Sequence, residues 1–104
     1  MTRAELEVIF LQDIGEPYAA GNRLVFLQST IRAAIAEITQ AGITLTTESD
    51  EGGISILDAN LIRMYAAWLV RGRASKEAKP PQLRHALHSR LFAQKMAPEE
   101  APDV

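Results

Sequence analysis

The chain has 104 residues, of which 47% are hydrophobic and 23% are charged, with a formal net charge of −2 at pH 7. This composition is typical of one folded domain with a modest core. The absence of cysteine excludes disulfides and thiol catalysis. The most apolar run, residues 61–70, is too short for a membrane span, which needs roughly 20 residues. The first residues lack the order of a secretory signal, so we expect a cytoplasmic protein.

The charges are divided unevenly along the chain. Residues 1–60 contain nine acidic and three basic residues, whereas residues 61–95 contain eight basic residues and one acidic residue. Such a division is typical of a nucleic-acid-binding surface, or of copies that dock with opposite charges in contact.

Start signals and apolar spacing predict the first two helices. Thr2 and Glu5 form a capping-box pattern, which predicts a helix over about 3–13. Apolar residues then recur at steps of three or four, which predicts an amphipathic helix over about 23–40. Asn22 is the predicted N-cap of this second helix.

A short extended excursion is expected after the second helix. Gly42 is predicted to end that helix in the left-handed conformation. Apolar and polar residues alternate over 43–46, and Gly52–Gly53 is a turn signal before Ile54. We therefore expect a small β-hairpin or an extended loop over 43–56.

The third helix contains the stretch LIRMYAAWLVRGR, residues 61–73. Ser55 and Asp58 form its start signal, and we expect it to end near residue 73. From 61 to 70 only Arg63 is charged, and the apolar residues are not confined to one stripe. A surface helix should show a polar face, so we expect a second copy of the chain to cover the other side.

These elements predict a mainly α fold, a compact bundle of about four helices with the hairpin or extended loop between helices 2 and 3. Pro80 and Pro81 open the last helix, which is expected to continue to about Met96. Residues 1–96 form a single helical domain. Residues 97–104 contain two prolines and three acidic residues, and we expect a disordered acidic tail there.

No pattern of catalytic or metal-binding residues is recognisable. His85 and His88 lie three residues apart on the last helix, without the further ligands that zinc needs. The acidic turn before Gly52 lacks the spacing of a calcium loop, and the serines lack a nucleophile motif. We therefore predict a protein that is not an enzyme and that binds no metal or cofactor.

The basic second half supports one rival hypothesis, a small helical DNA-binding regulator. A helix with Arg84, His85, His88 and Arg90 could enter a major groove or bind phosphates. Against this hypothesis, the leucines of the same helix must face a core. The loop before the helix is also longer than the tight turn of a helix-turn-helix motif.

The stretch DANLIRMYAAWLVRGR, followed by a proline-containing loop and LRHALHSRLFAQK, resembles the small head-tail connector proteins of tailed bacteriophages and prophages. The preceding AGITL fits the same pattern, and the likeness covers about residues 22–96. These motifs are helical packing patterns and not catalytic signatures.

The resemblance implies a virion structural protein that is assembled in the host cytoplasm. Connectors of this kind form a ring below the portal protein, extend the DNA channel and present a platform for a tail-completion or stopper protein. DNA passes through such a ring without sequence-specific contacts. From the broad apolar helix and the charge division we predict a subunit interface containing Tyr65, Trp68, Arg71, Arg73, Arg84 and Arg90.

Overall fold

A computed structural model describes residues 1–45, 53–72 and 78–96. It contains four helices, α1 (Arg3–Asp13), α2 (Gly21–Gln40), α3 (Ile56–Arg71) and α4 (Pro81–Met96). The prediction of a mainly helical chain with four helices is therefore confirmed. None of the helices in the described ranges is both long and apolar enough to cross a membrane. The predicted tail, residues 97–104, lies outside the described residues.

Local side-chain caps fix the starts of α1 and α3, as the sequence predicts. The Thr2 hydroxyl accepts a hydrogen bond from the Glu5 amide (3.1 Å), and the Glu5 carboxylate accepts one from the Thr2 amide (2.9 Å). At α3, the Ser55 hydroxyl accepts from the Asp58 amide (3.2 Å). These bonds satisfy amide groups that have no partner within the helix.

The predicted N-cap of α2 is wrong. The cap is Ala20, which makes no side-chain bond, and Asn22 already lies within the helix. The chain enters α2 through Gly21, whose φ of +60° is accessible to glycine at little cost. The predicted terminator is confirmed, since Gly42 follows the last turn with a φ of +103°.

Helix α3 lies at the centre of the bundle. It packs against α1, α2 and α4, and α1 also packs against α2. The buried residues of α3 include Leu61, Ile62, Tyr65 and Leu69. They pack against a core that consists mainly of residues from α1 and α2. The fully buried large side chains of the other elements are Leu6, Phe10, Leu27, Ile31, Ile38, Ile43 and Leu83.

This central position corrects the interpretation of the apolar run. A helix that is apolar on several sides is one that is surrounded, and here the surrounding helices belong to the same chain. Most of segment 61–73 is therefore covered within one chain, and not by a second copy as we expected from the pattern. Met64 is the large apolar side chain of this run that remains exposed.

The described flanks of the expected hairpin form no strand, and the first flank pairs with α4. Ile43 and Leu45 are buried and Thr44 is exposed, which confirms the alternation. The Thr44 amide, however, donates to the Gln94 side chain (2.7 Å), and its carbonyl accepts from Arg90 (2.7 Å). The Gln94 side chain also donates to the Gly42 carbonyl (2.9 Å).

The other flank of the expected hairpin pairs with the start of the chain. The Ile54 amide donates to the Met1 carbonyl (2.6 Å), and the Met1 nitrogen donates to the Ile54 carbonyl (2.9 Å). Neither flank, 43–45 or 53–55, contains a strand. The predicted centre of the hairpin, residues 46–52, lies outside the described residues.

A buried ion pair joins α3 to α4. The Asp58 side chain is 2% exposed, and both of its oxygens accept from the Arg90 guanidinium, at 2.7 Å and 3.3 Å. A buried carboxylate is tolerated only with such partners. Asp58 also lies in the first turn of α3, where the helix dipole favours negative charge.

We expect Arg90→Leu to lower the free energy of unfolding by about 3 kcal/mol, because it leaves the Asp58 carboxylate buried without its guanidinium. Arg84→Leu on the exposed side of α4 is the matched control and should change stability by less than about 0.5 kcal/mol. Urea denaturation followed by circular dichroism measures both. Equal stability of the two variants would contradict the structural role of Arg90.

Glycine is required at position 53 by both backbone conformation and space. Its φ is +66°, and a Cβ atom there would collide with the backbone of Met1. Gly15 has a similar φ of +78° with open space around it.

We expect Gly15→Ala to lower the free energy of unfolding by about 1 kcal/mol, because of backbone strain alone. Gly53→Ala should cost at least about 1 kcal/mol more, because the Met1–Ile54 pair must break. Thermal and urea unfolding would test this difference.

Candidate functional site

The described residues contain no arrangement that could hold a metal ion through three or more His, Cys, Asp or Glu side chains. On the exposed side of α4, the His85 Nε2 and Ser89 Oγ atoms are 3.4 Å apart. His88 is also exposed. The histidine pair is therefore a surface feature of α4, and the candidate functional sites are surfaces that could bind other proteins.

Tyr65 and Trp68, two of the predicted interface residues, contact each other within the chain. Tyr65 is buried, and its hydroxyl donates to the Glu37 carboxylate on α2 (2.9 Å). Trp68 is half-buried, with its ring edge-on to Tyr65 at a centroid distance of 5.7 Å. Both aromatic side chains thus serve mainly to pack α3 against the other helices of the same chain.

Lys79 and Gly72 complete this aromatic cluster. The Lys79 ammonium lies 4.8 Å from the centroid of the Trp68 ring and 5.6 Å from that of Tyr65. These distances allow cation–π attraction. The indole also lies against Gly72, where a Cβ atom would be 2.5 Å from the ring. The cluster therefore packs the end of α3 against the residues that precede α4.

The described arginines of the predicted interface differ in their surroundings. Arg90 is engaged with Asp58 and Thr44 of its own chain. Arg71 and Arg84 are exposed, at the end of α3 and near the start of α4. Arg73 lies outside the described residues. Arg71 and Arg84 are therefore the predicted arginines that the described surface presents.

Within the described ranges, ion pairs connect the acidic half of the chain to the basic half. Arg63 donates to both oxygens of Asp13, at 2.7 Å and 2.8 Å, and so ties α3 to α1. These hydrogen bonds raise the pKa of Arg63, which stays charged. Arg90 and Asp58 form the second pair. Some acidic residues of the first half are thus paired with basic residues of the second half within one chain.

An open groove follows the exposed face of α3. Its residues on that helix recur every three or four positions, namely Leu57, Asn60, Met64, Ala67 and Arg71. One cavity of about 800 Å³ lies between this face of α3 and the start of α4, and Trp68 also lines it. A second cavity of about 360 Å³ lies between the same face of α3 and two residues of α4, Ala86 and Ala93. Asn60 and Met64 line both cavities, and we call the two cavities together the α3–α4 groove.

A second exposed surface runs along the outer face of α4. We call it the α4 strip and define it by Arg84, His88, Phe92 and Lys95, which recur every three or four residues. Phe92 is 65% exposed. No acidic side chain of the described part of the chain pairs with Arg84 or Lys95. The strip therefore combines an apolar centre with unneutralised positive charge.

Sequence reasoning missed the groove residues Leu57, Asn60 and Met64. Helical spacing alone predicts that Leu57 and Met64 share one apolar face with Leu61 and Tyr65. In the structure, Leu57 is 78% exposed. The apolar pattern of a central helix does not say which of its sides stays open, so no local signal could have identified the groove.

Comparison of the chain with protein-family models, with curated proteins and with solved structures finds no match. The exposed surfaces of the described residues and the resemblance of residues 22–96 are therefore the basis for assigning a function.

We expect Gly72→Ala to displace the Trp68 indole, because the new methyl group would collide with the ring. Trp68 is the single tryptophan of the chain, so its fluorescence reports this movement directly. Emission should shift, and acrylamide should quench it faster. Gly15→Ala, which adds its methyl group in open space, should leave the emission unchanged. Unaltered emission of Gly72→Ala would contradict the packing of the ring.

Proposed function

We propose that the protein is a virion structural subunit, a head-tail connector that forms a ring between the portal and a tail-completion or stopper protein. The ring would surround the DNA channel without reading its sequence, and the protein would catalyse no reaction. The resemblance of residues 22–96 supports this proposal, as does the four-helix architecture.

The observation that carries the proposal is the open apolar surface of the α3–α4 groove. Leu57 and Met64 are exposed along this groove, and single apolar side chains are exposed on other faces, Phe92 on the α4 strip and Val8 on α1. A contiguous exposed apolar surface marks a binding site, whereas single exposed side chains are common on monomeric proteins. A ring subunit needs several binding surfaces, because it contacts one copy on either side and other proteins above and below the ring.

The predicted interface residues have different roles in the proposed assembly. Arg84 belongs to the α4 strip, and Arg71 lies at one end of the α3–α4 groove. Tyr65 and Arg90 support the fold, so their substitution would disturb assembly only by disturbing the subunit. Trp68 lines the groove and also packs against Tyr65 of its own helix.

A small DNA-binding regulator remains the second candidate, because the α4 strip carries unneutralised positive charge. Arg84 and Lys95 on one helix face could contact phosphates. The engagement of Arg90 with Asp58 and the exposed Phe92 in the middle of the strip argue for a protein partner instead. The two candidates differ in what the purified chain does without DNA.

We expect the purified chain to form closed rings at high concentration, because its apolar faces are then covered by sister subunits. Light scattering would give the mass, and negative-stain electron microscopy would show a central channel. Monodisperse monomer over the whole concentration range would count against the ring.

Binding to duplex DNA separates the two candidates. A regulator would bind DNA as a monomer or dimer in a salt-dependent manner and would lose binding on Arg84→Ala. That behaviour would favour the second candidate over the connector. Rings that do not bind short duplexes with any sequence preference would favour the connector.

A further inference from the structure

The outer face of α1 has the opposite character to the α4 strip. Ala4, Glu5, Val8 and Gln12 are all exposed and recur at helical spacing, and we call them the α1 strip. Val8 is 56% exposed and lies between the acidic Glu5 and the polar Gln12. The α1 strip therefore has an apolar centre beside a negative charge. The α4 strip has an apolar centre, Phe92, flanked by positive charges.

We propose that the α1 strip of one copy binds the α4 strip of the next copy and that this is the repeated contact of the assembly. The inference rests on the proposed function and names the surfaces that would meet. Val8 would pack against Phe92, which removes apolar surface from water on both sides. Glu5 is about one turn from Val8 and Lys95 about one turn from Phe92, so Glu5 would lie beside Lys95 and opposite charges would meet at the rim.

The placement of the two helices makes this contact head-to-tail. Both α1 and α4 pack against the central α3 by their inner faces. Their outer faces are thus different surfaces of one subunit, and a copy bound at one strip leaves the other strip open for the next copy. A contact between two different surfaces closes into a ring when its rotation permits.

A symmetric contact between two α4 strips is disfavoured by charge. It would bring Arg84 and Lys95 of one copy close to the same residues of the other, with no acidic side chain to separate them. Like charges in contact oppose association. A symmetric contact between two α1 strips would likewise place the Glu5 residues of both copies together.

Two single variants test the assignment. Val8→Lys places a positive charge in the α1 strip, opposite the cations of the α4 strip, and Phe92→Ser removes the apolar centre of the α4 strip. We expect each variant alone to associate roughly tenfold more weakly or worse than the unchanged chain, because each lacks one strip. Sedimentation velocity would measure this loss, and circular dichroism would verify that both variants are folded.

Mixing the two variants is the decisive step. The Phe92→Ser copy keeps its α1 strip, and the Val8→Lys copy keeps its α4 strip, so the mixture should give one-to-one dimers that grow no further. A mixture that stays monomeric would overturn the inference. So would either variant alone assembling like the unchanged chain. If Val8→Lys is less helical, Gln12→Lys replaces it on the same strip.

Matched controls keep this result separate from the proposed function. Phe26 is 49% exposed on α2, and Tyr18 is 93% exposed between α1 and α2. Phe26→Ser and Tyr18→Lys should assemble like the unchanged chain. If the unchanged chain forms rings and both strip variants do too, only the strip assignment fails. If the unchanged chain is always a monomer, the ring itself fails as well.

Discussion

The carboxylate of Asp58 is almost fully buried, and the guanidinium of Arg90 is what makes this burial tolerable. The same guanidinium reaches the Thr44 carbonyl, and Gln94, one turn further along α4, bonds to the backbone at Gly42 and Thr44. Helix α4 thus supplies the polar partners of the connection after α2. Because its backbone groups at Gly42 and Thr44 are hydrogen-bonded, this connection can place Ile43 in the core.

This polar anchoring explains why α4 can leave so much of its surface open. Leu83 is the buried residue of the helix, and the other leucines are half-buried. A helix that depends mainly on apolar burial would have to turn a broad apolar face inward. Because Arg90 and Gln94 contribute directional contacts, α4 attaches along one edge. Its opposite face, with Arg84 and Phe92, remains available for binding.

Among features whose partners lie a few residues apart, the sequence predicted several correctly, although the N-cap at Asn22 was wrong. The caps at Thr2 and Ser55 were predicted correctly, and so was the alternation around Thr44. No hairpin is seen in the described flanks of segment 43–56, where the backbone at Thr44 and Ile54 pairs with groups about fifty residues away, which no local pattern encodes. For the candidate site, the sequence indicated an apolar α3 and a basic α4. It could not tell that α3 is covered by its own chain, or that Arg90 has an internal partner.

The uneven charge distribution therefore has two physical consequences. Asp13 and Asp58 of the first half meet Arg63 and Arg90 of the second half inside one chain, so these charges stabilise the fold. Outside these pairs, Glu5 lies on the outer face of α1 and Arg84 and Lys95 lie on the outer face of α4, so these two faces carry charges of opposite sign. Exposed pairs between such faces contribute only about 0 to 1 kcal/mol each and weaken with salt. Affinity between copies must then come chiefly from the apolar centres of the strips, while the charges select which faces meet.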